Sequence, residues 1–242
     1  MVEVEAADEK SAQIGLEAAF AAIARVAALM HPAAPGSDLE RIATARLNEL
    51  VPVDPWTHTV LKLAREISAL TNGLFDPCLA HRPGRTRDVD LSTPNHVSCR
   101  AQVAIDLGGI AKGFAVDRAV DALQAHGCEA GLVNAGGDLR VFGDTARQVQ
   151  VRLPHDAVAQ VELANTALAV SAPRSDASPS EHRGYYRGTT GQAIEVRTVA
   201  VAAADTAVAD ALTKCVMLCS AVEIESLLRR YGARVLALGA CA

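Results

Sequence analysis

Aromatic residues, excess positive charge and long apolar stretches are all scarce in this sequence. Aromatic side chains make up only 3% of its 242 residues, too few for a platform that stacks nucleobases. Lys and Arg number 23 against 28 Asp and Glu, a formal net charge of −5, which disfavours nucleic-acid binding through a basic face. No apolar run approaches the roughly 20 residues of a membrane span. We therefore expect no nucleic-acid partner and no membrane span.

The N-terminus lacks the basic and apolar regions of a secretory signal, because the segment Met1–Glu9 is acidic. We expect a cytoplasmic protein, or a periplasmic one only if a leader has been removed. The six cysteines form no C-x-x-C pair, which favours buried thiols in a reducing compartment. Cys215 and Cys219 lie four residues apart, so a metal-binding pair is a less favoured alternative there.

Helical and strand-like patterns alternate along the rest of the chain. Helices are predicted over 11–30, 37–48, 54–72, 110–126, 206–220 and 222–231. Strands are predicted near 103–105, 132–133, 139–142, 149–153, 166–170, 194–202 and 234–238. These elements predict a single α+β domain over 1–242, with a mixed or antiparallel sheet core and flanking helices. Residues 1–12 are expected to lie outside the ordered fold.

The strongest chemical motif is the segment Asp106–Gly113, with the sequence D-L-G-G-I-A-K-G. A strand is predicted to run into Gly108 and Gly109, and a helix begins at once. A helix N-terminus presents unpaired N–H groups and partial positive charge, which suits a phosphate, and Lys112 adds a full charge. Asp106 could accept a bond from a hydroxyl or an amide, or bind a metal. The alternative is a tight strand-to-helix turn with a solvated lysine.

A second glycine motif, Asn134–Asp138, separates two short predicted strands. A type I′ hairpin explains its two adjacent glycines without any ligand. Asn134 and Asp138 could equally orient a ligand or brace the first glycine turn.

A third motif places Asp210, Thr213 and Lys214 on one face of a predicted helix. A carboxylate and a hydroxyl at this spacing can hold a hard cation such as magnesium. An ordinary salt bridge between Asp210 and Lys214 is the favoured interpretation of this motif taken alone.

Together these motifs resemble the ApbE family, the FAD:protein FMN transferases. The matching stretches, in chain order, are Ser37–Leu39, Gly73–Pro77, Asp106–Asp117, Asn134–Asp138 and Ala209–Leu212. The resemblance covers roughly residues 15–240. It implies that the protein binds FAD, uses magnesium at the diphosphate and transfers FMN to a threonine or serine of an acceptor flavoprotein, releasing AMP.

The resemblance also assigns roles to individual residues. It makes Gly109, through its carbonyl, together with Asp210 and Thr213, the magnesium ligands. The residues that it assigns to the FAD site are His31, Leu74, Phe75, Asp76, Asp106, Gly108, Lys112 and Asn134. Asp210, Lys214 and His182 are the catalytic candidates.

Several positions depart from the family pattern. The metal-binding hydroxyl that the family carries four residues after the aspartate is replaced by Lys214, and Thr213 has moved to the third position. A protonated ammonium cannot ligate magnesium, so we hypothesise that Lys214 partly or wholly substitutes for the metal. The polar segment 172–192 lacks the family's aligned histidine and Asp-Pro, leaving His182 as the nearest candidate base. No opening strand is evident, and His31 stands where the family has an aromatic residue.

These departures leave two functions from different classes. One is the FMN transferase itself. The other is a catalytically impaired FAD-binding protein that acts as a flavin carrier or scaffold. A hydrolase that cleaves FAD to FMN and AMP is a third, less favoured reading.

Overall fold

A six-stranded antiparallel sheet forms the centre of the fold in the computed structural model, which describes residues 1–79, 81–152, 158–171 and 197–240. The strands are β1 (Val2–Ala6), β2 (Val51–Pro52), β3 (Val89–Asp90), β4 (His96–Cys99), β5 (Cys128–Asn134), β6 (Asp138–Phe142), β7 (Arg147–Arg152), β8 (Val158–Leu163), β9 (Thr166–Ser171), β10 (Arg197–Ala203) and β11 (Arg234–Ala240). The helices are α1 (Glu9–Met30), α2 (Asp38–Thr44), α3 (Pro55–Leu70), α4 (Ala111–Ala125), α5 (Thr206–Leu218) and α6 (Ala221–Tyr231). The α+β class predicted from the sequence is confirmed.

The central sheet has the strand order β1-β5-β6-β9-β10-β11, and every neighbouring pair is antiparallel. Two small sheets accompany it, one of order β2-β4-β3 and one formed by β7 and β8. Helices α4 and α5 contact one another and the central strands. The N-terminus of α4 lies at the β5–β6 hairpin, where Lys112 contacts Asp138.

The expectation that residues 1–12 lie outside the fold is wrong, and so is the absence of an opening strand. β1 pairs with β5, with Val2 opposite Val133, and the Met1 ammonium donates to the Asn134 carbonyl at 2.8 Å. The V-E-V-E-A sequence alternates with period two, so its apolar side chains pack on the core while the glutamates face outward. This alternation was the overlooked strand signal.

Helix α1 begins two residues earlier than predicted because Asp8 caps it, accepting from Ser11 N–H at 2.9 Å. By length and composition alone α1 could cross a membrane, contrary to the expectation from the sequence that no stretch would qualify. In the structure it lies beside α4, with Ala19, Val26 and Met30 buried. Core helices of soluble proteins and signal sequences pass the same test, so this finding is weak evidence for a membrane span.

The strand predicted at 103–105 is also wrong. This segment forms only one isolated bridge, between Cys78 and Ile105. The chain therefore enters the glycine motif as an extended loop held against residues 77–79, with Asp106 N–H donating to the Pro77 carbonyl at 2.9 Å. Helix α2 ends at Thr44, four residues before the predicted end.

Candidate functional site

The turn before α4 is closed by its own hydrogen bonds. Gly108 N–H donates to Asp106 Oδ1 at 2.8 Å. The Leu107 carbonyl accepts from Ile110 N–H at 2.9 Å and from Ala111 N–H at 2.7 Å. We call the segment Asp106–Gly113 the glycine corner. The N–H groups of Gly108, Ile110 and Ala111 are therefore satisfied inside the protein, and Asp106 stabilises the turn itself.

The β5–β6 hairpin supplies the acid that holds Lys112. Lys112 Nζ lies 2.6 Å from Asp138 Oδ2, and the Lys112 side chain is 55% exposed whereas that of Asp138 is 1% exposed. Gly136 and Gly137 have φ values of +73° and +106°, as the predicted type I′ turn requires. Asn134 Oδ1 accepts from Gly137 N–H at 3.1 Å. Asp138 therefore braces the glycine corner through Lys112, whereas Asn134 stabilises its own hairpin turn.

Asp210 on α5 contacts the N-terminus of α4. Its Oδ2 accepts from Gly113 N–H at 3.4 Å, and its Oδ1 pairs with the ammonium of Lys214. Asp210 is fully buried and Lys214 is 5% exposed. The fold thus brings together three motifs that are far apart in the sequence, and the Asp210–Lys214 salt bridge favoured by spacing is present.

Asp117 on α4 contacts the N-terminus of α5, just as Asp210 on α5 contacts the N-terminus of α4. Asp117 was assigned no role from the sequence. Its carboxylate accepts from Thr206 N–H at 2.8 Å and Ala207 N–H at 2.9 Å at the start of α5. Arg140 Nη1 also donates to it at 3.0 Å. Gly113 allows this close crossing, because a Cβ there would lie 2.3 Å from the Thr206 carbonyl oxygen. Asp117 and Gly113 both lie in the stretch Asp106–Asp117, which carries part of the family resemblance. That resemblance was the sequence signal that could have identified them.

Three buried charges, Asp138, Asp210 and Lys214, therefore meet the exposed Lys112 at the glycine corner. We call these four residues the charge cluster. Burial, together with the negative charge of Asp210, raises the pKa of the Asp138 carboxyl, while the two ammonium groups act in the opposite direction. The two carboxylates and two ammonium groups give the cluster no net formal charge.

The residues present do not fit the predicted magnesium site. Both Asp210 oxygens already have donors, and the Thr213 hydroxyl donates to the Asp210 main-chain carbonyl at 2.7 Å and lies 2.7 Å from Ser171 Oγ. Gly109 is buried in the turn. Within the described ranges, no group of three or more His, Cys, Asp or Glu side chains could hold a metal ion.

The remaining predicted FAD residues lie at the end of α1 and in the loop after α3. The Asp76 carboxylate accepts from Cys78 N–H at 2.9 Å and from Thr86 Oγ1 at 2.5 Å, so it fixes its own loop. Phe75 is fully buried in the main core and exposes no surface to a ligand. Leu74 is half-buried, and His31 is an exposed residue that ends α1. His182 lies outside the described residues.

Comparisons with known proteins agree with this fold. The model of the ApbE family matches residues 1–82 and 79–237. A curated FAD:protein FMN transferase from Rhodobacter capsulatus is 30% identical over 143 residues, which is 47% of this chain and 27% of that protein. The match therefore spans about a quarter of the curated relative's length.

Solved structures show the same fold. An ApbE protein from Thermotoga maritima superposes with a TM-score of 0.80 at 23% identity, covering 99% of this chain and 93% of that one. The apo flavinyl transferase ApbE of Pseudomonas stutzeri gives a TM-score of 0.78 at 19% identity, covering 97% of this chain and 85% of that one. A flavin transferase ApbE from Vibrio cholerae gives 0.73 at 22%, covering 97% and 88%.

Proposed function

Because the chain belongs to the ApbE family, we propose that it transfers FMN from FAD to a threonine or serine hydroxyl of an acceptor protein. In this reaction the hydroxyl oxygen attacks the phosphorus on the FMN side of the diphosphate. The bond from that phosphorus to the bridging oxygen breaks, AMP leaves, and the hydroxyl proton passes to a base. The observation that carries the proposal is the glycine corner, with the half-exposed Lys112 ammonium beside it.

Lys112 is the group that we expect to contact the diphosphate. Phosphoryl transfer depends mainly on positioning and on neutralising charge, so a preorganised ammonium contributes strongly. Asp138 restricts where the Lys112 side chain can lie, because its buried carboxylate accepts a hydrogen bond from Lys112 Nζ at 2.6 Å. Asp138 is therefore a positioning residue in this proposal, and the β5–β6 hairpin supports the site by holding Asp138.

His182 remains our proposed acceptor of the hydroxyl proton. A positioned acid–base group of this kind typically contributes a factor of about 10² to 10⁴ in rate. We assign no step to magnesium, since both Asp210 carboxylate oxygens and the Thr213 hydroxyl already have hydrogen-bond partners.

The second candidate is an FAD-binding protein that transfers nothing and serves as a flavin carrier or scaffold. The observation that favours it is Lys214, which stands where the family has a metal-binding hydroxyl. Cleavage of FAD without transfer is the third possibility, and one assay separates all three.

The test incubates the purified chain with FAD and a protein domain that carries a flavinylation threonine. Transferase activity yields AMP on chromatography and a fluorescent acceptor band after denaturing electrophoresis, and the band disappears when the acceptor threonine is changed to valine. A carrier binds FAD without AMP release, and a hydrolase releases AMP without labelling.

Two lysine variants test the role of Lys112 in that assay. Lys112→Ala should reduce transfer about 100-fold, because it removes a preorganised charge. Lys62→Ala, which removes an exposed ammonium on α3, is the matched control and should leave transfer unchanged. Transfer by Lys112→Ala at the rate of the control would contradict the proposed role.

A further inference from the structure

The ion pair between Asp210 and Lys214 is almost completely shielded from solvent. Asp210 has no exposed surface, and the Lys214 side chain is 7% exposed. Lysine is rarely buried without a partner, and removing one member of a buried pair leaves the other as an uncompensated charge. Lys214 is therefore fixed at Asp210 as part of the fold.

The Asp210 carboxylate oxygens, which a hard cation would need as ligands, already accept hydrogen bonds. Magnesium demands near-octahedral oxygen ligands, and both carboxylate oxygens of Asp210 already have a donor. The ammonium of Lys214 takes Asp210 Oδ1, and Gly113 N–H donates to Oδ2. The Thr213 hydroxyl is bonded to the Asp210 main-chain carbonyl rather than turned toward the carboxylate.

The formal charge of the cluster leads to the same conclusion. With Lys214 present the charge cluster is neutral, so a divalent ion would add two uncompensated charges beside an ammonium. With Lys214 replaced by a neutral side chain, the cluster would carry one net negative charge and a free carboxylate oxygen.

We propose that the Lys214 ammonium is the built-in cation of this site and takes the place of a divalent metal at Asp210. The inference rests on the proposed function, in which the FAD diphosphate binds at the glycine corner beside this cluster. Binding of FAD by this chain then needs no divalent ion.

The first test titrates Mn²⁺ into the full chain, with free Mn²⁺ measured by electron paramagnetic resonance. The unchanged protein should show no stoichiometric site, and Lys214→Thr should gain one Mn²⁺ per chain. Lys62→Thr loses the same charge from an exposed position and should gain none. Adding Asp210→Asn to Lys214→Thr should abolish the new site.

Either of two results would overturn the proposal. One is stoichiometric binding by the unchanged chain that Asp210→Asn removes. The other is a folded Lys214→Thr protein, judged by circular dichroism, that gains no site. Lys214→Met, which keeps an apolar stem of similar length, replaces Lys214→Thr if that variant does not fold.

A second test uses the unchanged protein only, so it does not depend on a variant that folds. The Kd for FAD, followed by flavin fluorescence, should agree within about twofold in EDTA and in excess Mg²⁺. A tightening by Mg²⁺ of about tenfold, the effect expected of one charge-assisted contact, would refute the proposal. A chain that binds no FAD would refute the proposed function instead, while the Mn²⁺ titration would still decide the role of Lys214.

Discussion

Two buried carboxylates at the crossing of α4 and α5 each accept hydrogen bonds from the N-terminus of the other helix. Asp117 binds Thr206 and Ala207 N–H at the start of α5, and Asp210 binds Gly113 N–H at the start of α4. Both satisfy N–H groups that have no partner within their helix, and both place negative charge at the positive end of a helix dipole. Asp117 and Asp210 therefore hold α4 and α5 in place at the candidate site and stabilise the contact between the two helices.

Asp117→Ala should lower the free energy of unfolding by about 3 kcal/mol or more, because it removes the acceptor of two helix N–H groups and the nearer of two carboxylates that face Arg140. Urea denaturation followed by circular dichroism measures the change. The matched control is Asp121→Ala on the same helix, whose exposed pair with Arg118 should contribute less than about 1 kcal/mol. Equal losses in the two variants would contradict this role for Asp117.

Cys219 should be the most reactive of the five cysteines in the described ranges. The other four are buried, and a hydrogen bond with Cys215 lowers the pKa of the Cys219 thiol. At neutral pH, a thiol with a lowered pKa is present as thiolate in a larger fraction of the molecules. The thiolate is the form that reacts with alkylating reagents. At pH 7.5, mass spectrometry should therefore find iodoacetamide on Cys219 before the four buried thiols.

Cys215→Ala provides the control for that experiment. It removes the hydrogen bond and leaves Cys219 in place, so alkylation of Cys219 should become slower. An unchanged rate would show that exposure alone controls the reactivity of Cys219.

At the scale of helices and strands, glycines set how closely α1 and α4 approach their neighbours. A Cβ on Gly113 would meet the Thr206 carbonyl oxygen at 2.3 Å and Ala207 Cα at 2.8 Å, and both are backbone atoms. A Cβ on Gly15 of α1 would instead meet one side-chain atom most closely, Cys128 Sγ at 2.7 Å. A second mutation can shorten the Cys128 side chain but cannot remove backbone atoms. A substitution at Gly15 can therefore be compensated by a second mutation, whereas one at Gly113 cannot.

Gly113→Ala should destabilise the protein by about 1–3 kcal/mol, as overpacking usually does, because α4 and α5 must separate. Gly15→Ala should also destabilise it, but Cys128→Ala in the same chain should recover most of the loss. Thermal and urea unfolding of the single and double variants measure this coupling. Failure of the Cys128 change to rescue Gly15→Ala would show that the clash lies elsewhere.

Elements with local signals could be predicted from the sequence, and elements defined by distant pairing could not. Helix α3 begins at Pro55 with Asp54 as its N-cap, as these two residues predict. Strand β3 is two residues long and exists only because it pairs with β4, so no local pattern marks it. The strand expected at 103–105 had the right alternation and lacks a partner strand.

The same distinction applies to the candidate site. The motifs were visible because their residues are adjacent in sequence, but the contacts among them join residues 26 and 97 positions apart. Sequence spacing within α5 was enough to favour the Asp210–Lys214 pair, which is local. Sequence spacing could not show that Gly113 N–H donates to the second Asp210 carboxylate oxygen, because that contact depends on how α4 and α5 cross.

At the scale of the whole molecule, side-chain bridges connect parts of the chain that are far apart in sequence. Arg147 of β7 contacts Glu3 at 3.2 Å and Glu5 at 2.5 Å, which joins the two-stranded sheet to the opening strand. Arg230 on α6 contacts Glu66 on α3 at 2.6 Å, and the Tyr231 hydroxyl donates to the same carboxylate at 3.0 Å. The second bridge holds α6 against α3 and contains groups whose pKa values are shifted.

The bridge at Glu66 should make a small part of the stability pH-dependent. The hydrogen bond from Arg230 lowers the pKa of the Glu66 carboxyl below its ordinary value of 4.5. A carboxyl with a lowered pKa stabilises the folded state above its unfolded pKa, and that contribution disappears as the pH falls through its folded pKa. Glu66→Gln should therefore lower the free energy of unfolding at pH 7 by less than about 1 kcal/mol, because solvent screens a side chain that is 42% exposed.

The difference between Glu66→Gln and the unchanged protein should shrink toward zero as the pH falls below 4.5, the ordinary value for this group. Urea denaturation at pH 7 and at acid pH measures it, and added salt should reduce the pH 7 difference in the same way. Glu225→Gln removes an exposed carboxyl that pairs with Arg229 within α6, so it is the matched control and should cost less at pH 7. A Glu66→Gln loss that is constant across this range would mean that the bridge stabilises the protein through packing of the side chain rather than through charge.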